Sequence, residues 1–451
     1  MSEPRTLSVA DLRSAFRGPV IGPDDSDYDK VRQIFPGDVD RRPAVVIRPL
    51  DAQEVAQVIA LARDTGLPLA VRSGGHSEFG AVDGGIVLDL RELKGLDVDT
   101  DGKTAWAGSG LTAAEYTAAV GEHGLATGFG DTGSVGVGGI TLNGGIGFLV
   151  RKFGMTIDNL IAAEIVTADG QVLTVDAETH PDLFWAIRGG GGNFGVVTKF
   201  HFRLHEVPEF VGGMLMLPAT PEIVAQAVAI AAEAPEELSA ILNVMTAPPM
   251  PFVPQELHGS IVLMALVGYA GPAEEGARVL APLRALAEPI ADFVKPMTYA
   301  EMFPPEDESY RPTAAGNTMF VDSVDVKTAE TIFEYLGKVD APLRVAQLRP
   351  LGGALAGVAS DATAFGHRAS KVMVNTAAFY TSPEDKLAKL EWVADFQDAL
   401  RQSDDGAYVG FVSRDARDAY PDATWERLAE VKRRYDPENL FRLNWNIPPA
   451  S

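Results

Sequence analysis

Gly128-Phe-Gly-Asp-Thr-Gly-Ser-Val-Gly-Val-Gly-Gly-Ile-Thr-Leu-Asn-Gly-Gly-Ile-Gly147 is the densest glycine segment of the chain. A flexible linker would be polar, whereas Val135, Val137, Ile140, Leu142 and Ile146 interleave with these glycines and Phe148 follows. Glycine lets one backbone approach another surface closely. Amides freed in this way form nests for anionic oxygens and press against a planar ring. The segment therefore points to a bound cofactor.

Upstream, Arg42 to Ile47 reads as a strand, Asp51-Ala-Gln-Glu54 as a capping box opening a helix, and Leu67 to Val71 as a second strand. That unit delivers the chain into Arg72-Ser-Gly-Gly-His-Ser77, so His76 sits on a glycine loop just past a strand end, a favoured ligand position in α/β units. On residues alone His76 is a base, a metal ligand or a covalent anchor. A metal has the least support, because the other histidines show no HExxH-like pairing, and His201 with His205 falls in a strand pattern and reads as structural.

Two literal dinucleotide fingerprints occur. Gly190-x-Gly192-x-x-Gly195 follows a helix and precedes a strand, the reverse of the order that aims helix amides at a pyrophosphate. Gly108-x-Gly110-x-x-Ala113 has the right order but stands alone, and a lone match is weak. Hairpins are expected around Asp101-Gly102 and Asp169-Gly170, with helices from Thr112 to about Glu122 and over 181–188. Past 206–212 the glycine clusters give way to helices near 221–235, 273–286, 328–339 and 383–402 and strands near 259–269, 344–350 and 371–380. A domain boundary belongs there. The closing stretch from Tyr408 should hold a strand, a helix over 424–434 and the turn Tyr435-Asp-Pro-Glu-Asn439.

At 451 residues the chain has room for two or three domains, each with its own core. Its net charge of −24 repels phosphate backbones and anionic membranes, and no basic cluster overrides that field, so neither nucleic acid nor a membrane is an expected partner. The absence of cysteine excludes disulfides, thiolate nucleophiles and Cys-ligated metal. The first residues lack the apolar core of a secretory signal, which gives a cytoplasmic expectation.

Four separated motifs carry a resemblance. Residues 72–77, Gly133-Ser-Val-Gly-Val-Gly-Gly139 with Gly144-Gly145-x-Gly147, the stretch from Asp182 to Thr198, and Tyr435-Asp-Pro-x-Asn-x-Phe-Arg-x-Asn444-x-Asn446 look like the FAD-linked oxidases of the vanillyl-alcohol oxidase superfamily. The berberine-bridge-enzyme-like branch, near its bacterial nicotine-oxidase members, is the best fit. The resemblance implies an α+β chain: a PCMH-type FAD-binding fold of two subdomains over residues 1–206, an antiparallel-sheet substrate domain backed by helices over 207–410, and a segment 411–451 returning to the FAD domain. It implies FAD, bonded through its 8α-methyl carbon to His76. Arg72, Ser73, Gly74, Gly75 and Ser77 would hold the pyrophosphate and ring. Gly130, Asp131, Thr132, Gly133, Ser134, Gly136, Gly138, Gly139, Asn143, Gly144, Gly145 and Gly147 would hold the flavin and diphosphate. Val197 would meet the adenosine end, and Asn444 and Asn446 the flavin.

Many relatives carry a second covalent link through a cysteine. That position is Thr132 here, so a single tether is expected. Val135 falls where the family gates oxygen, and a small residue there implies an oxidase. The implied reaction moves a hydride from a small alcohol, sugar or amine to the flavin, with dioxygen reoxidising it to give hydrogen peroxide, in a monomer or homo-oligomer. A tailoring enzyme that cyclises or rearranges a natural product, or a dehydrogenase with little oxidase turnover, is the alternative. Tyr408 resembles a family base, but Gly410 and Phe411 replace its usual companions. Ala364 to Arg368 resembles a family stretch ending in Pro-His-Arg, and just before it the Glu that some relatives use as base is Ala362, with Asp361 out of register.

Overall fold

The structure is a computed structural model that describes residues 8–307, 309–403, 406–411 and 416–451. Its first sheet orders strands Val20–Ile21, Val45–Ile47, Ile86–Asp89 and Leu69–Arg72, the last three mutually parallel. Parallel strands need a crossover, here the helix Ala52–Thr65, which buries Val55, Val58, Ile59 and Ala62 and stops at Gly66 with φ 68°. Its capping box is only half made. Asp51 accepts from the Glu54 N–H, but the Glu54 carboxylate accepts from the N–H groups of Leu50 and Arg17 instead of closing on Asp51.

The second sheet is antiparallel, ordered Leu96–Asp99, Thr104–Gly108, Val196–Arg203, Leu160–Val166 and Val172–Asp176. Both expected hairpins are in it. His201 stacks on Trp106, and His205 stacks on Phe153 and bonds Asn159 at 2.6 Å, so both are packing residues. A Cβ on Gly108 would meet the Leu93 carbonyl oxygen at 2.0 Å, and one on Gly110 the Leu90 oxygen at 2.1 Å. Backbone packing thus accounts for both glycines of that fingerprint.

The largest sheet is antiparallel and eight-stranded; its main path runs Ala291–Asp292, Phe210–Pro218, Ile261–Tyr269, Leu238–Thr246, Arg344–Pro350, Val372–Phe379 and Ala314–Val321, with Lys295–Met297 paired to Phe210–Pro218. Helices Pro221–Glu233, Ala273–Arg284, Val326–Lys338 and Pro383–Leu400 contribute to its core, which includes Val224, Leu280, Ile332 and Phe396. Five of these strands escaped the sequence reading, the short pair Ala291–Asp292 and Lys295–Met297 and three long ones. In Leu238–Thr246 every residue is buried, which erases the alternation that marks a half-exposed strand. Phe210–Pro218 is interrupted by Gly212-Gly213, and Ala314–Val321 opens on small residues.

The helix Asp422–Tyr435 packs Leu428 and Val431 into the core of the second sheet, joined there by Ile447. The strand expected after Tyr408 is absent among the described residues, where Val409–Phe411 forms a single 3-10 turn. Residues 412–415 lie outside the described residues. Among the described residues no helix is long and apolar enough to cross a membrane.

Candidate active site

Two glycine loops meet back to back. A Cβ on Gly74 would meet the Gly136 nitrogen at 2.2 Å, and one on Gly136 would strike Ser73 Oγ at 2.1 Å. Ser73 Oγ donates to the Ser109 carbonyl at 2.6 Å and secures the first loop from behind. The seven-residue helix Val137–Asn143 then forms within the glycine segment, an element that its composition conceals.

Beneath the histidine loop, Arg72 is fully buried. It donates to Asp89 and to the Val31 carbonyl, both at 2.9 Å. Burial would raise the Asp89 carboxyl, but Arg72, Arg91 and Arg48 outweigh it and hold the pKa at about 2. Arg72 reaches the cavity wall with its charge already paired, so it acts as a foundation for the loop.

Above that foundation lies a cavity of about 570 Å³, within the range of small-molecule and cofactor sites. One wall brings together Ser73 to Ser77, Gly130, Asp131, Thr132, Val135, Gly136, Gly138, Gly139 and Asn143, as the motifs implied. Val197 lines it as well, and the tail closes it with Leu443, Asn444 and Trp445. Gly190, Gly191, Gly192 and Asn193 also line it and had been assigned no contact. They were legible as glycine-rich, but their helix-to-strand order fits no dinucleotide fingerprint.

Several implied contacts stand elsewhere. Gly144 packs on Met155 and Tyr408, Gly145 on Thr156, and Gly147 on the Phe129 carbonyl, where an added Cβ would come within 2.1 Å. These three, with Gly133, Ser134 and Asn446, lie outside the cavity wall and shape it from behind. His367 bonds the Ala419 carbonyl, and Arg368 pairs with Asp158 through two 2.7 Å contacts, so that stretch is a structural tie. Asp361 accepts the Trp185 indole N–H at its carbonyl.

His76 is half-buried, stacked on Phe35 at 4.2 Å between centroids, with Nε2 2.9 Å from Ser134 Oγ. Burial pushes its pKa down against the pull of Glu306, so the imidazole is neutral near pH 7. Tyr408 is also buried. Its oxygen accepts the Gly145 N–H at 2.8 Å, and burial pushes the phenol up to about 12. A phenol held there keeps its proton near pH 7, so Tyr408 would need help to serve as a base. Asp131 is ion-paired with Arg349 at 2.5 Å, and Arg349 also bonds Gln347 and the Ile146 carbonyl.

The residues present fit FAD. Asn444 Oδ1, on the cavity wall, is buried with no hydrogen-bond partner among the described residues, a state that native proteins seldom leave unrelieved. A Cβ on Gly139 or Gly192 would meet nothing within 4 Å, so both open onto the space a ligand fills.

A family model for an FAD binding domain matches residues 43–176, and one described as berberine and berberine like matches 407–448. The (R)-6-hydroxynicotine oxidase of Paenarthrobacter nicotinovorans is 31% identical over 96% of this chain and 97% of its own. The chain belongs to the berberine-bridge-enzyme-like FAD-linked oxidoreductases. Another member with which it aligns is the FAD-linked oxidoreductase YgaK of Bacillus subtilis, at 29% identity over 97% of this chain and 98% of that one. Among solved structures, 6-hydroxy-D-nicotine oxidase from Arthrobacter nicotinovorans superposes with a TM-score of 0.84 at 29% identity, covering 96% of this chain and 98% of that chain. The BBE-like 1 protein of Physcomitrella patens shares the fold at a TM-score of 0.88 and 21% identity, covering 99% and 100%. Like them, this berberine-bridge-enzyme-like chain has an α+β architecture and is an FAD-dependent oxidoreductase.

Proposed function

We propose that this oxidoreductase is an oxidase, taking a hydride from a carbon of a small alcohol, sugar or amine onto FAD tethered through His76 and releasing hydrogen peroxide. FAD supplies the hydride acceptor and the route to dioxygen. Residues 1–206 and 411–451 form the FAD-binding part in this reading, and 207–410 the substrate part. The observation that carries it is the cavity itself. Its glycine wall, with His76 at one side, faces the paired strands Ala314–Val321 and Val372–Phe379, which present Ala314, Gly316, Ala377 and Asn375. Small side chains there leave room for a substrate beside the ring.

In this reading His76 anchors the cofactor, Asn444 at the cavity wall offers its unpartnered oxygen to it, and Gly139 and Gly192 admit it without a clash. The Asn375 side chain lines the cavity and makes no hydrogen bond among the described residues, so it is available to a polar group of the substrate. Tyr408 orients the loop through the Gly145 N–H. A neutral amine or a substrate with a low-barrier hydride needs no strong base, which suits a site whose phenol stays protonated. Val135, on the glycine wall, is small enough to leave dioxygen a path.

The named activities of relatives set the first panel: 6-hydroxynicotine, together with the chitooligosaccharides and xylooligosaccharides that two fold neighbours oxidise. Purified protein should release peroxide with one of these or with a related cyclic amine, alcohol or sugar. Its flavin should stay with the acid-precipitated chain, and His76→Ala should free it. Substrate that bleaches the flavin without oxygen consumption would identify a dehydrogenase instead.

A further inference from the structure

A hydrogen-bonded chain runs outward from His76 that the reading above does not use. His76 Nε2 lies 2.9 Å from Ser134 Oγ, and Ser134 Oγ lies 2.6 Å from Glu306 Oε2. The Ser134 N–H also donates to Glu306 Oε1 at 3.1 Å, so the carboxylate grips this residue with both oxygens. An ionised carboxylate only accepts, so the Ser134 hydroxyl proton points to Glu306 and its oxygen is left to accept. Nε2 therefore carries the imidazole proton, and Nδ1 carries the lone pair. The Phe35 stack fixes the plane of the ring. Glu306 and Arg311 are the charged groups that act on it, the first stabilising a positive imidazole and the second opposing it.

We propose that Glu306, acting through Ser134, is the positioning residue that makes Nδ1 of His76 the atom that bonds the flavin. The proposal rests on the His76 tether. As Nδ1 bonds the 8α-methyl carbon, that carbon gives up one hydrogen as a proton, and the C–H electron pair enters the ring system. Alkylated imidazole is positively charged until it releases the Nε2 proton, which the Ser134–Glu306 pair is placed to receive. Dioxygen takes the two electrons and two protons and leaves as hydrogen peroxide, so the atoms and charges balance. The same carboxylate that selects the tautomer thus stabilises the charge that bond formation creates, as a carboxylate behind a histidine does in other nucleophilic sites.

The test is the covalent share of bound flavin, read by intact mass and by fluorescence of acid-precipitated protein, beside the total flavin bound before precipitation. Wild-type, Glu306→Gln, Glu306→Asp, Ser134→Ala and His76→Ala proteins are incubated aerobically with FAD. Glu306→Gln and Ser134→Ala should bind FAD at wild-type stoichiometry and attach it at least tenfold more slowly, and Glu306→Asp should recover much of the rate. Ser134→Ala removes one oxygen atom, so it tests the relay even if a change at Glu306 disturbs its segment. Attachment at the wild-type rate in both variants overturns the proposal. So does a loss of attachment that only follows a loss of FAD binding. Wild-type protein that never retains flavin after precipitation refutes the tether itself, a separate result.

Discussion

Gly74 and Gly136 leave no room for a methyl group on either backbone, whereas Gly139 faces open cavity. Gly136→Ala should therefore lose about 2–3 kcal/mol or more in denaturant melts, because the strain falls on backbone atoms that cannot move aside. Gly139→Ala should leave the fold of the flavin-free protein intact and weaken FAD binding, which a fluorescence titration would read. Asp89 makes the acid limb of stability legible. Its pKa of about 2 lies below the value of 3.8 for a free carboxyl. Between those values the folded state binds fewer protons than the unfolded one, so the ion pair stabilises fully above pH 4 and its contribution of roughly 2 kcal/mol disappears as the pH falls through 2. Asp89→Asn, which strands the Arg72 charge, should cost about 3–5 kcal/mol at pH 7. That deficit against wild type should narrow between pH 4 and 2. At Val135 a larger side chain closes the gas path of the proposed oxidase. Val135→Leu should slow reoxidation of reduced flavin by dioxygen tenfold or more in stopped flow, while leaving reduction by substrate within a fewfold.

Among the elements, the terminal helix Asp422–Tyr435 holds the tail over the cavity by one buried cation. Lys432 Nζ bonds Asp436 at 2.6 Å, the Asn193 carbonyl at 2.7 Å and the Phe441 carbonyl at 2.9 Å, and it is fully buried. It thereby joins the loop at 190–195 to the tail that carries Asn444 and Asn446. Asp436 in turn accepts from the N–H groups of Leu440 and Phe441. Lys432→Met leaves Asp436 as an uncompensated buried charge, an effect of about 3–5 kcal/mol. Chemical denaturation should show that loss, together with weaker FAD retention. The strand pair that faces the glycine wall presents Ala377 and Gly316 side by side. Ala377→Phe should fill the space assigned to substrate, so KM should rise or turnover cease while flavin content stays at the wild-type level.

At the scale of the molecule, the proposed reading makes FAD a structural element of the cavity, since Asn444 Oδ1 at its wall is buried with no partner among the described residues. A ligand at a hundred times its dissociation constant adds about 2.7 kcal/mol to stability. At about 2–4 °C per kcal/mol for domains of this size, stripping FAD from His76→Ala should lower Tm by roughly 5–10 °C. A Tm indifferent to FAD would remove the cofactor from these contacts. The sequence by itself determined the family, the hairpins, the crossover helix, the histidine loop and the lack of any cysteine-based link, because glycine spacing, turn dipeptides and single residue identities are local properties. It missed the fully buried strand Leu238–Thr246, whose uniform burial leaves no period to read. It also could not separate glycines that face the cavity, such as Gly139, from those that admit a crossing backbone, such as Gly147, since both obey one chemical preference. For Tyr408 the motif left a candidate base and a buried structural phenol both open, and its burial and its bond to the Gly145 N–H are features of the tertiary structure alone. Glu306 carried no signal at all. It meets Ser134 across 172 positions of chain, and only folding brings such a pair within hydrogen-bond range, because the contact depends on how two loops distant in sequence are packed together.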